Sequence, residues 1–530
     1  MRSRVQAVLG IDAGTTSVKS VVISTTGDVL GAARSTVRIR RPQPHYAEQD
    51  MDEVWSAVGQ TISAALAEAG DVELLGLSVT GQGDGAWLVD AGGRPAGPAV
   101  LWLDGRAAER VARWEADGRG ELVRRTTGSA LFPGALPVLL EELQDSDPGL
   151  LTRAATQLNC KDWIRFQLTG VVGTDASEAS RTYLDVATGR YSEELIEGLG
   201  HGGFRRLLPP LFPPDAVCGR VTEKAARETG LPVGLPVATG MVDTPAGGVG
   251  LGVVGPGEAY AILGTTAFVG AVQERVSAPV DVPVITLNLG QGTQVIECLA
   301  PMNGTPNLDW AREATGLAGL EWSQIEELVN AVPAGARGVL YLPYGGVSGE
   351  RAPFVDTAAS AAWLNITVRT SPGELLRAVY EGIALSLGEC MDVLGIKADA
   401  TVRLCGGGAQ SPVVCQIVAD VTGRRIVRST FAELGARGAG ALALVAVGAA
   451  PDLPAALAQF GDDAQTFEAD PRLRALHDAQ AQVFRDVRDA VRRHWPDLRA
   501  VQAAAHAADA SPASEPTAAL SADAPPETTT

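Results

Sequence analysis

At 530 residues the chain is too long for a single hydrophobic core, and its length points to two or more domains. Its 46% hydrophobic and 20% charged content is that of an ordinary globular protein. A net charge of −19 argues against a nucleic-acid or anionic-membrane surface, because either partner needs a basic patch. The six cysteines (Cys160, Cys218, Cys298, Cys390, Cys405 and Cys415) are scattered, with no Cys-x-x-Cys pair. Free thiols in a reducing compartment are therefore expected, rather than zinc or a disulfide framework. No apolar run reaches transmembrane length, and a strand begins almost at the N-terminus, leaving no room for a signal peptide; a cytoplasmic enzyme is expected.

In chain order, Val5 to Ile11 and Ser20 to Ile23 read as paired strands around Gly14-Thr15-Thr16, and Gly27-Asp28 fits a second turn. Helical spacing of Val54, Trp55, Val58, Ile62, Ala65 and Leu66 predicts a helix over Asp52 to Ala69, with Asp52 as its N-cap. Leu74 to Thr80 is a buried strand, the loop Gly81-Gln82-Gly83-Asp84-Gly85 is too rich in glycine for regular structure, and Ala86 to Asp90 resumes the strand. Such alternation indicates α/β layers. From about Arg110 to Pro236 helical periodicity and Pro-rich joints suggest a peripheral layer over the first core. Gly and Pro cluster over Leu251 to Gly257, which sets domains at 1–252 and 253–460. In the second, strands run to about Ile296, a long helix spans Pro372 to Leu394, and a turn falls at Gly406-Gly407-Gly408. An amphipathic closing helix, Asp470 to Trp495, dominates residues 461–500, and the Ala, Ser, Pro and Thr of 501–530 predict a disordered tail.

Gly-Thr-Thr recurs as Gly264-Thr265-Thr266 after the apolar run Tyr260 to Leu263. Each copy puts two hydroxyls and free backbone N–H groups on a tight turn, which suits polyphosphate oxygens. One copy is as often a structural hairpin. Two copies, one opening each half, suggest a duplicated domain with a nucleotide clamped between, and Asp12 adds a carboxylate for Mg²⁺.

Asp243 follows the buried strand Leu235 to Ala238 and precedes a run of small residues, so it sits at a cleft rim where it could accept a proton from an attacking hydroxyl. A helix N-cap is the alternative on position alone. Gly83-Asp84-Gly85 and Trp102-Leu103-Asp104-Gly105-Arg106 read as the polar rim of a small-molecule pocket. Asp84 can accept two hydroxyl protons, Trp102 can pack a C–H face of a sugar, and Asp104 with Arg106 can fix it by hydrogen bonds. Capping aspartates and a core tryptophan are the competing reading. Gly406 to Ser411, at a strand-to-helix turn, admits a flat ring or a ribose, or is simply tight packing; it is neither a dinucleotide fingerprint nor a P-loop.

Together these stretches resemble the FGGY carbohydrate kinases, the sugar- and polyol-phosphorylating branch of the actin-like ATPases. The resemblance runs from about Val5 to Gly448. It is carried by Gly10 to Lys19, Ala47-Glu48-Gln49-Asp50, Val242-Asp243, Leu263-Gly264-Thr265-Thr266, Gly349 to Phe354, Glu374 to Gly382, Gly406 to Pro412 and Ala419-Asp420, in that order. It implies two actin-like (ribonuclease H-like) α/β domains, each a mixed five-stranded sheet flanked by helices, with a cleft between them. It further implies ATP and Mg²⁺ as cofactors, with Asp12 organising the metal and Gly14, Thr15, Thr16 and Lys19 addressing the phosphates. Gly264, Thr265 and Thr266 would form the opposing phosphate turn, Gly407, Gly408 and Ser411 would border the adenosine, and Asp243 would be the general base. Gln82, Gly83, Asp84, Trp102, Asp104, Arg106, Asp243 and Thr244 would meet the substrate.

Kinases similar to D-xylulokinase usually carry Met-His after the Gly-Gln of the loop, and glycerol-kinase-like chains Arg-Glu; Gly83-Asp84 stands here, more like the erythritol-kinase and L-xylulose-kinase branches. Asn365 replaces a glycine common in the second family signature. The expected substrate is a neutral polyol or ketose, an erythritol-like tetritol or a pentulose, with Asp84 beside open space and sugar acids disfavoured. D-xylulokinase proper and a catalytically silent actin-like sugar- and ATP-binding protein are the alternatives, while an actin-like chaperone or filament lacks a peptide-binding appendage. No nucleic-acid or membrane partner is expected, and a homodimer is one assembly left open.

Overall fold

The computed structural model describes residues 4–279, 282–429, 431–461 and 464–510. Its first half is built on β1 (Val5–Ala13), β2 (Ser17–Ser24), β3 (Val29–Thr36), α1 (Met51–Ala69), β4 (Val72–Gly81), β5 (Val217–Arg220) and β6 (Pro236–Ala238). The strands form one sheet in the order β5-β6-β4-β1-β2-β3, parallel at β6/β4 and β4/β1 and antiparallel elsewhere. α2 (Asp243–Gly250) then leads to β7 (Ala259–Leu263), β8 (Ala267–Gln273), β9 (Ile285–Asn288) and β10 (Val295–Leu299). Later come α3 (Pro372–Val393), β11 (Thr401–Cys405), α4 (Pro412–Thr422), β12 (Arg425–Arg428), α5 (Leu434–Ala446) and β13 (Gln465–Phe467). The second sheet runs β9-β10-β8-β7-β11-β12-β13, parallel at β7/β11 and β11/β12 and antiparallel elsewhere.

Five strands correspond between the halves. The order β3-β2-β1-β4-β6 and the order β10-β8-β7-β11-β12 each read antiparallel, antiparallel, parallel, parallel. The expected five-stranded sheets are thus six- and seven-stranded, because β5 extends one edge of the first and β9 and β13 extend both edges of the second. β5 comes from a stretch whose sequence reads as helical, and β13 from one assigned to the closing helix.

Both β1 and β2 are buried along nearly their whole length, so the sheet is covered on both faces. One face packs on α1 through Val54, Val58, Ile62 and Ala65. α1 is capped by Asp50, whose side chain accepts from the backbone N–H groups of Asp52 and Glu53; Asp52, the expected cap, is in the first turn. The other face is covered by the far end of the chain: Val8, Val21 and Ile23 cluster with Met241 and Ala246 and with Ala436, Leu442, Leu444 and Phe460. α5 comes so close that a Cβ on Gly10 would strike the Ala436 carbonyl, and one on Gly438 would strike that of Ala246. α2 and α5 therefore lie together between the sheets, and α5 belongs spatially to the first half.

The stretch from Arg110 to Pro236 mixes helices with short strands, and Trp114, Leu139, Leu140, Leu195 and Leu207 of it share one core cluster. The closing segment is two helices, α6 (Arg474–Arg492) and α7 (Trp495–Ala510), anchored by Phe484 and Trp495 in the second core. α7 runs ten residues into the segment expected to be disordered; residues 511–530 lie outside the described residues.

Candidate active site

Asp12, in β1, stands opposite Lys19 in β2, with the Gly14-Thr15-Thr16 turn between them. The Gly14 N–H donates to the Ser17 carbonyl (3.0 Å) and closes the turn. Buried side chains brace it: Gln82 donates to Gln49 (2.7 Å), and Gln49 donates to the Thr15 carbonyl (2.7 Å). Trp102, expected against a sugar face, also donates its indole N–H to the Thr15 hydroxyl (3.0 Å) and so braces this turn. Lys19 is ion-paired with Glu433 at the start of α5 (2.7 Å). Burial raises the Asp12 carboxyl, Lys19 pulls it back, and Glu433 adds to the rise.

Between β7 and β8 the second turn closes through the Gly264 N–H on the Thr266 carbonyl (3.0 Å). Thr265 and Thr266 are exposed. Its brace is a single neighbouring segment: the Gly264 carbonyl accepts from the Thr305 N–H (2.7 Å) and hydroxyl (3.1 Å), and a Cβ on Gly304 would collide with the carbonyls of Gly264 and Thr265. Beyond it a cavity of about 460 Å³ is lined by Gly407, Gly408, Ser411, Leu308, Trp322 and Tyr380, among others. Gly408 packs on Leu263, whereas Gly407 borders open space, and the Ser411 hydroxyl caps α4 at Val414 (3.1 Å). The pocket's size and mixed apolar and polar lining suit a purine nucleoside.

Asp243 is the first residue of α2, and Val242 takes the cap position. The N-cap alternative is thus set aside. Its carboxylate is reachable from the cleft, yet protein surrounds it closely enough that burial dominates its titration. Burial first, then the neighbouring Asp12, with Asp84 a smaller contributor, push its pKa up to about 7, against hydrogen bonds from Thr244. The segment entering Asp243 is clamped from two sides. Thr80 donates to the Met241 carbonyl (2.9 Å), and Ser177 accepts from the Val242 N–H (3.0 Å).

Two expectations for the polar rim change. Asp104 is buried with both oxygens occupied, by the Ala47 N–H (2.6 Å) and by the Arg106 backbone and guanidinium; Arg106 also donates to Glu48 (2.6 Å) and covers the Tyr46 ring. Both Asp104 oxygens and the Nε and Nη2 of Arg106 are thus engaged within the protein, tying this loop to the Tyr46–Glu48 segment. Asp84, at φ 59°, is not beside open space either: Arg181 donates to it (3.2 Å) while lying over Phe132. Burial raises Asp84, and Arg181 opposes that by charge and hydrogen bond. With a guanidinium there, the argument against sugar acids from local negative charge no longer holds. Gln49, Glu433, Ser177 and Arg181 are neighbours of these residues that the sequence does not single out: Gln49 lies in a quoted motif, and the others carry no local signal.

Among the described residues no three His, Cys, Asp or Glu side chains form a metal-holding group. A lone carboxylate such as Asp12 fits Mg²⁺ that takes its other ligands from phosphates and water. No helix of the described residues is long and apolar enough to cross a membrane, and all six cysteines are free.

Comparison with known proteins accounts for this arrangement. Residues 7–250 match the FGGY carbohydrate kinase N-terminal domain and residues 259–447 the C-terminal domain. The chain is 31% identical to xylulose kinase of Escherichia coli over 90% of its own length and 97% of the other. It is 32% identical to erythritol kinase of Brucella abortus, over 87% and 91%. The ligand-bound xylulose kinase structure from Lactobacillus acidophilus superposes with a TM-score of 0.85 at 22% identity, covering 93% of this chain and all of that one, which bears on fold alone. With its two sheets, its paired turns and these matches, the chain belongs to the FGGY family of carbohydrate kinases and is a phosphotransferase.

Proposed function

We propose that the chain transfers the γ-phosphoryl group of ATP to a terminal hydroxyl of a small polyol or ketose, a tetritol or a pentulose, in the cytoplasm where ATP is available. The observation that carries this is Asp243: a carboxylate reachable from the cleft, at the N-terminal end of α2, raised to about 7 and in electrostatic reach of both Asp12 and Asp84. A base poised near neutrality takes a hydroxyl proton and is readily regenerated.

As the substrate oxygen bonds to the γ-phosphorus, the bond from phosphorus to the bridging oxygen breaks and ADP leaves; the hydroxyl proton passes to Asp243. Thr15, Thr16, Gly264, Thr265 and Thr266 supply backbone and hydroxyl donors to the phosphoryl oxygens, and Gly407, Gly408 and Ser411 border the adenosine. Asp12 would hold Mg²⁺, which when bound offsets the charge of the phosphates. The sugar lies against Gln82, Gly83 and Asp84, with Thr244 beside the base. The names of the relatives support both a tetritol and a pentulose.

The test is coupled ADP release over erythritol, D-xylulose, L-xylulose and related polyols, with wild type and Asp243→Asn. At least one should be turned over, and the variant should lose on the order of 10² to 10⁴ in turnover while still binding ATP. Wild-type turnover should rise with pH through about 7, because only the deprotonated carboxylate accepts the proton. A variant keeping more than about a tenth of the rate, against the loss expected of a general base, would overturn the assignment.

A further inference from the structure

Glu178 is 1% exposed, and its Oε1 has no hydrogen-bond partner. A buried carboxyl left unbonded is costly, and native chains seldom keep one without use. The ions around it do not need it. Lys161 is paired with Asp162 (2.7 Å) and Asp175 (2.9 Å), and Arg165 with Asp162 (3.3 Å). Two cations thus already meet two carboxylates, and an ionised Glu178 would leave the cluster negative beside Asp243. What Glu178 does face is the loop at Gly83: a Cβ there would lie 3.3 Å from Glu178 Oε2 and 2.6 Å from Val242 Cγ2, so the carboxyl and the residue before Asp243 both stand against the side of Gly83 that lacks a side chain.

We propose that the Glu178 carboxyl, set at the Gly83 edge of the cleft, receives a hydroxyl of the polyol or ketose and thereby helps to determine which substrate is accepted. This rests on the kinase reading above. Burial, reinforced by Asp162, Asp175 and Asp243 against the pull of Lys161, raises Glu178 well above the usual carboxylate range, which favours its neutral form. A neutral acid donates through its O–H and accepts through its carbonyl oxygen, matching a hydroxyl, which also does both. A site built to bond a hydroxyl rejects the analogue that lacks it.

Glu178→Gln keeps a donor and an acceptor without charge, whereas Glu178→Met removes both at similar volume. With a substrate from the panel, the Met variant should raise the KM for the sugar on the order of 10- to 100-fold, leave the KM for ATP unchanged, and lose discrimination against one monodeoxy analogue. The Gln variant should stay within about threefold of wild type, because its amide also both donates and accepts. If the Met variant does not fold, Glu178→Asp, which withdraws the carboxyl by one methylene, should show the same selective rise. Unchanged sugar KM in the folded variants, or equal weakening of sugar and ATP, overturns the role of Glu178. A wild type that turns over no polyol or ketose overturns the substrate reading beneath it, and is seen before any variant is made.

Discussion

The two Gly-Thr-Thr turns have the same sequence and the same place in their sheets, but they are supported differently. Side chains from the substrate-side loops hold the first: Trp102 on the Thr15 hydroxyl, and Gln82 through Gln49 on its carbonyl. Mainly backbone holds the second, where Gly304 presses against Gly264 and Thr305 bonds its carbonyl through N–H and hydroxyl, leaving the side chains of Thr265 and Thr266 in the open. The first turn is wired to the loops at Gln82 and Trp102, which under the proposed function would let its conformation register an occupied sugar site. The second is a fixed platform beside the cavity lined by Gly407 and Gly408.

The sharpest way to break this contrast is at the backbone brace. Gly304→Ala should destabilise the fold by about 1–3 kcal/mol, because the colliding atoms are carbonyls that cannot move aside. Its KM for ATP should rise as well. Gly264→Ala, whose Cβ would come no nearer than 3.7 Å to the Thr266 carbonyl, should keep the wild-type melting temperature. Thermal melts of the pair decide it; equal melting temperatures would mean that Gly304 is not the brace.

A smaller effect is expected at the side-chain brace. Trp102→Phe keeps the ring and loses one hydrogen bond, worth about 0.5–1.5 kcal/mol, or roughly two- to tenfold in KM for ATP. That rise should be larger without sugar than with it if the sugar loop reports to the turn. Steady-state titrations of ATP at zero and saturating sugar analogue, read by nucleotide binding, would show it. Identical ratios would leave the two turns equivalent.

The smallest effect belongs to Glu433→Gln. The Lys19–Glu433 pair is partly open to solvent, so its loss should cost only about 0–1 kcal/mol of stability. Releasing Lys19 toward the phosphates should leave ATP affinity equal or tighter. A marked loss of affinity would mean that Glu433 positions Lys19 instead of competing for it.

Repeated turns, the strand before Asp243 and the Gly-rich corner at Gly406 were legible because each signal is local. What sequence hid was non-local. Arg181 reaches Asp84 across 97 residues, so neither the pair nor the missing open space could be read from Gly83-Asp84-Gly85. Asp104 and Arg106 looked like ligand groups because nothing in their own stretch reveals Ala47 and Glu48 as partners. Asp50 and Asp52 are equally good caps by type, and only the chain direction at Met51 chose between them. α7 was hidden by composition: residues 503–505 and Ala507 are alanine, poor in core contacts but the best helix formers.

The cover that α5 gives to β1 and β2 also fixes an order of assembly. The first sheet is complete in sequence by Ala238, yet the face carrying Val8, Val21 and Ile23 has only Met241 and α2 to cover it until Ala436 to Phe460 arrive. At translation speeds of about 5–20 residues per second, the gap of some two hundred residues is roughly ten to forty seconds of exposed apolar surface on a nascent chain. The half that carries the first sheet is made first and finished last. Cutting the gene at its apparent domain boundary would therefore yield a fragment inclined to aggregate, even though the boundary is plain in the sequence.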